Sequence, residues 1–215
     1  RPGDSGTTLR QLQIAQEWDD IEKTLQSDSF WCFISPKWSA PDSPRIEYIF
    51  GLITQDTPVP GLASEDPYYT FNAYSRLFAD NHSDLRDKWL RVKQYFMTCE
   101  EWYQDRTLYH LIGYLIANGS PVLDLMREAK GSAGKMAFQL KLKRMIFEQL
   151  SRRNPDDFHT PDELRSGIEE LLSGLDYEDH KSRIRSALLL FNIATLLQNK
   201  ASNLRFPFDS YKKEN

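Results

Sequence analysis

Apolar side chains recur at intervals of three and four through most of the chain, and no segment requires a sheet. Leu12, Ala15, Trp18, Ile21 and Leu25 form one stripe of a helix predicted over 8–26. The run Phe30-Trp31-Cys32-Phe33-Ile34 is apolar throughout, so it fits a short buried helix or a buried strand; the lack of a partner strand later in the chain favours the helix. Ser43-Pro44 predicts a capped start for a helix with Ile46, Ile49, Phe50 and Ile53 on its core face, and 54–61 reads as an extended, proline-rich loop. An aromatic helix is predicted over 67–79, mostly buried. Ser83 would cap the next one, in which Leu85, Trp89, Val92, Phe96 and Cys99 share a face.

The pattern resumes at Leu108 and ends at Asn118-Gly119, with Gly113 inside it marking a close crossing. Helices over 121–130 and 135–153 follow, joined by the corner Gly131-Ser132-Ala133-Gly134. Thr160-Pro161-Asp162-Glu163 is the clearest local signal: a hydroxyl cap, proline at the first helical position and a glutamate placed to close a capping box. The helix it opens carries Leu164, Ile168, Leu171 and Leu172 toward the core. The last helix, over 181–199, is apolar most of the way round and is expected at the centre of the core. The expectation is an all-α fold, an irregular or orthogonal bundle of about nine helices. It is read as a single module over 1–215, with 1–130 and 131–215 as candidate subdomains.

Composition narrows the function classes. With 40% hydrophobic and 27% charged residues in 215, the chain is of a globular type that needs no metal or disulfide to fold. Cys32 and Cys99 read as reduced, buried thiols of a cytoplasmic protein, one disulfide between them being the alternative. The longest apolar stretch is too short to cross a bilayer, so no membrane partner is expected. The ends, Arg1 and Asn215, read as those of a piece of a larger protein.

Candidate chemistry is sparse. The histidines at 82, 110, 159 and 180 lack metal-ligand spacing, and no phosphate loop or serine elbow occurs. Neighbouring carboxylates such as Asp19-Asp20, Glu100-Glu101 and Glu169-Glu170 point about 100° apart on a helix and suit a charged outer face better than an acid–base dyad. No catalytic residue and no cofactor is therefore assigned. Charge is more informative than any motif. Over 135–153 six cations stand against Glu148, a balance of +5, while over 155–180 nine carboxylates stand against Arg165, a balance of −8. The basic helix either sets Lys135, Lys141, Arg144 and Arg152 against a phosphate backbone or packs beside the acidic segment. Lys143 falls within the stripe of Met136, Leu140, Phe147 and Leu150, so it must snorkel, pair with a carboxylate or face a groove. Asn192 interrupts an otherwise apolar helix and is expected to be a buried amide with a structural role.

The tail adds a resemblance. Arg183-Ile184-Arg185-Ser186-Ala187-Leu188-Leu189-Leu190-Phe191-Asn192-Ile193, followed by Leu204-Arg205-Phe206-Pro207-Phe208-Asp209-Ser210-Tyr211, resembles the helical segment of the GmrSD-type family of modification-dependent restriction proteins, just ahead of their nuclease motif. Glu17-Trp18-Asp19-Asp20-Ile21-Glu22, Phe30-Trp31, Arg45-Ile46-Glu47, Asp66-Pro67-Tyr68-Tyr69-Thr70-Phe71 and Tyr109-His110-Leu111-Ile112-Gly113-Tyr114-Leu115 are similar in the same order. The resemblance implies a parent protein with an N-terminal ParB-like domain tied to nucleotide-dependent action and a C-terminal HNH-like endonuclease domain. This chain would be the non-catalytic connector between those flanking domains. The family's catalytic motifs do not occur here, so none of its catalytic residues carries over.

Overall fold

The computed structural model describes residues 4–35, 44–62, 66, 68–77, 79, 85–201 and 203–213. They form an all-α fold of eleven α-helices and one 3-10 turn, and among the described residues there is no strand. The chain divides into two compact units, Arg1–Glu101 and Trp102–Asn215.

In the first unit α1 (Asp4–Leu25), α2 (Asp28–Ile34), α3 (Ile46–Asp56) and α4 (Tyr69–Leu77) are joined by most of α5 (Leu85–Gln104). The run at Phe30 is helical, and every residue from Phe30 to Ile34 is buried, which is why it needs no polar face. Arg45 organises this end of the unit. Its guanidinium donates to the last carbonyl of α1, Leu25 O, at 2.8 Å, pairs with Asp28 at 2.8 Å and lies over the Trp31 ring at 5.2 Å. Glu17 organises the other end: its carboxylate accepts Trp89 Nε1 at 2.5 Å and Lys93 Nζ at 3.0 Å, while Trp18 stacks on Trp89. The Trp89 hydrogen bond first, and Lys93 after it, hold that carboxyl below its ordinary range.

Several sequence expectations need correction here. Leu12 and Ala15 are exposed, and only Ile21 and Leu25 of the proposed stripe are buried. α3 starts at Ile46, with Pro44 O accepting the Glu47 N–H, and it continues through a buried Thr54 to Asp56 where a loop was expected; Ser43 and Ser83 lie outside the described residues. The Thr54 hydroxyl donates to Gly51 O at 3.1 Å within the same helix, which satisfies it in the core. α4 is shorter than the predicted 67–79 helix and less buried: Tyr68, just before it, and Phe71 are exposed, Tyr74 and Leu77 are half-buried and only Ala73 is buried, while Pro67 and Phe78 lie outside the described residues.

The second unit holds α6 (Arg106–Ala117), α7 (Val122–Gly131), α8 (Lys135–Ser151), the 3-10 turn Pro155–Asp157, α9 (Pro161–Ser173), α10 (Lys181–Gln198) and α11 (Phe208–Lys213). The 131–134 corner lies inside this unit, with Gly134 at φ 120°. At its centre stands α6 and not the last helix: every residue of α6 from Leu108 to Ile116 is buried, whereas α10 buries only Leu189 and Ile193 and leaves Leu188 and Phe191 in solvent. α8 supplies Phe138, Leu142 and Ile146 to the core, while Met136 and Leu140 of the expected stripe are exposed.

Polar bonds at both ends fix the directions of the three long helices. Lys135 at the start of α8 pairs with Asp105, the N-cap of α6, and Gln149 near its end donates to Asn118 O at 2.6 Å, so α6 and α8 run parallel. Ser186 early in α10 bonds Asn118 Oδ1, and Arg106 at the start of α6 donates to Leu196 O and, at 3.2 Å, to Asn199 O. α10 is thus antiparallel to both.

Two glycines receive phenylalanine rings. A Cβ at Gly113 would lie 2.2 Å from the Phe208 ring, and one at Gly167 would lie 2.6 Å from that of Phe158. The close approach at Gly113 is therefore to the buried ring that opens α11. Glycine to alanine within a helix normally gains about 0.5–1 kcal/mol. Gly113→Ala is expected instead to cost about 1–3 kcal/mol in urea unfolding, because the ring must leave its seat. Tyr114→Phe, which removes a buried hydroxyl with no hydrogen-bond partner among the described residues, is expected to leave the midpoint unchanged or higher.

Candidate functional site

Between α8, α9 and α10 the second unit opens an apolar groove of about 700 Å³, floored by Leu111 of α6. Ile146, Phe147 and Leu150 line one wall, Leu190, Phe191, Ala194 and Leu197 another, and Ile168, Leu171 and Leu172 the third. The third wall overturns the expectation that α9 packs its apolar stripe into the core: no residue of α9 is buried, and Ile168 and Leu172 are exposed. α9 stands off because its attachments are at its flank. Phe158 wedges between Phe147, ring to ring at 5.9 Å, and Gly167, and Arg153 reaches Glu170 at 3.4 Å. Its N-cap is as predicted on one side, with Thr160 accepting the Glu163 N–H at 3.2 Å. The glutamate, however, takes the His159 N–H at 2.8 Å instead of closing the box on Thr160. A full capping box forms at Asn154 and Asp157 instead.

Polar groups in the groove are few. Ser151 is occupied, donating to Phe147 O at 2.7 Å and accepting the Arg153 N–H at 3.1 Å. Among the described residues the charged lining groups are Lys143 and Lys200, Gln198 is a further polar one, and no carboxylate lines the groove. Lys143 is exposed at the border of the groove, and it has no carboxylate partner among the described residues.

The predicted backbone-contact cations mostly have partners. Lys135 pairs with Asp105, Lys141 with Glu128 at 3.1 Å, and Arg144 makes a two-pronged contact with Asp156 at 2.9 and 2.5 Å. The Asp156 hydrogen bond raises the Arg144 pKa, and Asp156 is lowered in turn. Arg152 is exposed at the left-handed C-cap of α8, φ 58°, with no carboxylate partner among the described residues. Asn192 is not the buried amide expected: it is exposed, and its Nδ2 donates to Leu188 O at 2.9 Å in the turn before it. The side of α10 that carries it is simply not covered.

His110 and the tail form a second polar cluster. His110 is fully buried, its Nδ1 lies 2.6 Å from Arg106 O and its Nε2 accepts the Phe206 N–H at 3.1 Å, so the ring is neutral with the proton on Nδ1. Tyr109 Oη donates to Phe206 O at 2.8 Å. Arg205 donates to Tyr103 O and Gln104 O at 2.6 and 2.7 Å, capping the end of α5, and lies over the Tyr103 and Tyr109 rings. The Arg205-Phe206-Pro207-Phe208 segment is thereby strapped along α6. Elsewhere, His180 pairs with Asp176 at 3.0 Å, and His82 lies outside the described residues. Cys32 and Cys99 are buried and not joined in a disulfide, and burial pushes the Cys99 thiol up to about 12. Among the described residues no group of three or more His, Cys, Asp or Glu side chains is placed to hold a metal ion, and no helix is long and apolar enough to cross a membrane. Sequence reasoning missed the groove and Lys200; the one signal that pointed toward them was the misplaced charge of Lys143.

No family model, curated protein or solved structure matches the chain.

Burial foremost, with the nearby Arg106 and Arg205 charges, holds His110 below the ordinary imidazole pKa. A group depressed on folding contributes its stability above the unfolded value, about 6.5, and loses it as pH falls below that toward the folded value. The melting temperature is accordingly expected to fall between pH 7 and pH 5.5, before the carboxylates titrate. A flat profile over that window would show that the imidazole is not held neutral by the strap.

Proposed function

We propose that the chain is a non-catalytic helical scaffold of a DNA-restriction protein of the GmrSD type, holding the flanking domains in a fixed relation. The observation that carries this reading is the strap. Arg205, Phe206 and Phe208, in the stretch of strongest resemblance, spend their polar and aromatic groups on Tyr103, Tyr109, His110 and Gly113. Arg45, from another similar stretch, is likewise spent on helix ends. A segment fastened in this way transmits a rigid orientation to whatever chain follows it. Among the described residues the groove is lined by two lysines and by neither a carboxylate nor an imidazole that could transfer a proton.

A duplex-binding module acting through 135–153 is the competing reading. It draws less support, because Lys135, Lys141 and Arg144 already face Asp105, Glu128 and Asp156. Exposed pairs of this kind are weak, so phosphate could compete for them, and the two readings separate on salt dependence. In a fluorescence-anisotropy titration with a 30-base-pair duplex, the scaffold is expected to bind no more tightly than about 10⁻⁴–10⁻⁶ M at physiological salt. Lys141→Glu with Arg144→Glu should change that little. Nanomolar binding that weakens steeply with salt and is lost in that variant would replace the scaffold with the DNA-binding module. The parental reading frame supplies the other test: absence of both a ParB-like domain upstream and an HNH-type motif downstream overturns the restriction context.

A further inference from the structure

His110 is a buried group that changes charge near neutrality, and the strap is what covers its outer nitrogen. Only the neutral ring can make both of its bonds. Nδ1 carries the proton that goes to Arg106 O at 2.6 Å, and the lone pair of Nε2 takes the Phe206 N–H at 3.1 Å. A proton on Nε2 sets one donor against another, so the Phe206 amide has to move away.

The surrounding charges do nothing to accommodate an imidazolium. Arg106 on the same helix and Arg205 on the strap both act on the ring, and both are positive. Asp105, the N-cap of α6, is taken by Lys135 of α8 and by the Leu108 N–H. On the strap side, the Tyr109 ring lies edge-on to the imidazole at 5.3 Å, with Tyr103 of α5 beyond it. α11 contributes Asp209, whose charge acts on the Tyr109 hydroxyl, and Tyr211, which acts on Tyr114. The end of α10 presents the Leu196 and Asn199 carbonyls, which the Arg106 guanidinium takes up. Among the described residues no carboxylate bonds the imidazole.

The strap can leave without the bundle coming apart. Of the described residues in 203–213 only Phe208 is buried, in its seat against Gly113. Its polar ties include the Tyr109 hydroxyl on Phe206 O, Arg205 on the last carbonyls of α5 and Arg106 on Leu204 O at 3.4 Å. The packing of α6, α8 and α10 through Phe138, Leu142, Ile146, Leu189 and Ile193, and the Lys135, Gln149 and Ser186 bonds, do not involve the strap.

We propose that 204–211 is a proton-released latch: uptake of a proton at His110 Nε2 breaks the bond from the Phe206 N–H and frees this segment from α6 while α6, α8 and α10 stay packed. The proposal stands on these contacts and is independent of the scaffold reading. With the strap fastened, the chain beyond it has one orientation on the bundle; with the strap released, that orientation is lost. In the open form the imidazole meets water and takes its ordinary value near 6.5, whereas the closed form holds it lower. The latch is therefore fully effective above that value and weakens as pH falls below it, and opening becomes roughly five- to tenfold more frequent at pH 5.5 than at pH 7.5.

The test is amide hydrogen exchange of the full chain by NMR, corrected for intrinsic rates, at Phe206 and Tyr211 for the strap and at Leu111 and Ile112 for α6. The strap amides are expected to be at least tenfold less protected than those of α6, to be insensitive to low urea, and to lose protection roughly five- to tenfold from pH 7.5 to pH 5.5. His110→Gln, whose amide can meet the same two partners without taking up a proton, is expected to hold the strap at pH 7.5 and to abolish the pH dependence. Tyr109→Phe removes one tie and keeps the imidazole, so it is expected to lower strap protection about fivefold at pH 7.5 and to retain the pH dependence. The proposal is overturned if strap and α6 exchange together with the same urea dependence, if strap protection is flat with pH, or if His110→Gln keeps the wild-type profile. Loss of the pH dependence in Tyr109→Phe overturns it as well, and decides the matter should His110→Gln fail to fold.

Discussion

A helix without a solvent-facing side has to be covered on every side, and α6 imposes that requirement on the second unit. From Leu108 to Ile116 it offers no position at which a neighbour could be removed without exposing apolar surface. α8 and α10 cover it along its length, and the strap with α11 covers the side where Gly113 leaves room for the Phe208 ring. Apart from the Tyr114 hydroxyl, the polar side chains of α6 and its caps tie the covering elements down: Asp105 on Lys135, Asn118 on Ser186, His110 and Tyr109 on the backbone of Phe206. Burial and directionality are thus supplied by the same helix.

That arrangement explains why α9 and the outer side of α10 are left apolar yet uncovered. With α6 already enclosed, α9 has no core position to fill; it is attached at its edge through Phe158, Arg153 and the capped turn before it. The slot that remains between α8, α9 and α10 is the consequence. The first unit solves a different problem, ordering short helices whose ends would otherwise expose backbone groups. Arg45 on Leu25 O is its answer at one junction, and the Tyr95 and Arg91 contacts to Asp56 and Thr57 are its answer at another.

Much of the fold was legible in the chain, for local reasons. Helical spacing located α5, α6 and α7 closely, the Thr160-Pro161 start opened α9 where predicted, and the apolar run at Phe30 proved helical. The failures share a cause. Spacing identifies which residues lie on one face of a helix, but an amphipathic face can meet a core, a groove or another protein with the same pattern. Leu12, Phe71, Met136 and Phe191 were all assigned inward and all face out. Asn192 was read as buried for the same reason: its neighbours are apolar, and nothing local shows that they lack a cover. Lys143 was the exception, since a cation inside a stripe conflicts with burial and so marks the place where the pattern must be broken.

Sequence alone determined that this protein is helical, where most helices begin and end, and which charges are concentrated on 135–153 and 155–180, because propensity, capping and composition act within a few residues. Tertiary structure alone decided that α6 and not α10 is central, that the basic residues of α8 are mostly paired, and that Lys143 borders an open apolar slot. Those outcomes depend on the direction and order in which helices cover one another, and on contacts between residues as distant as Tyr109 and Phe206, which no local pattern encodes.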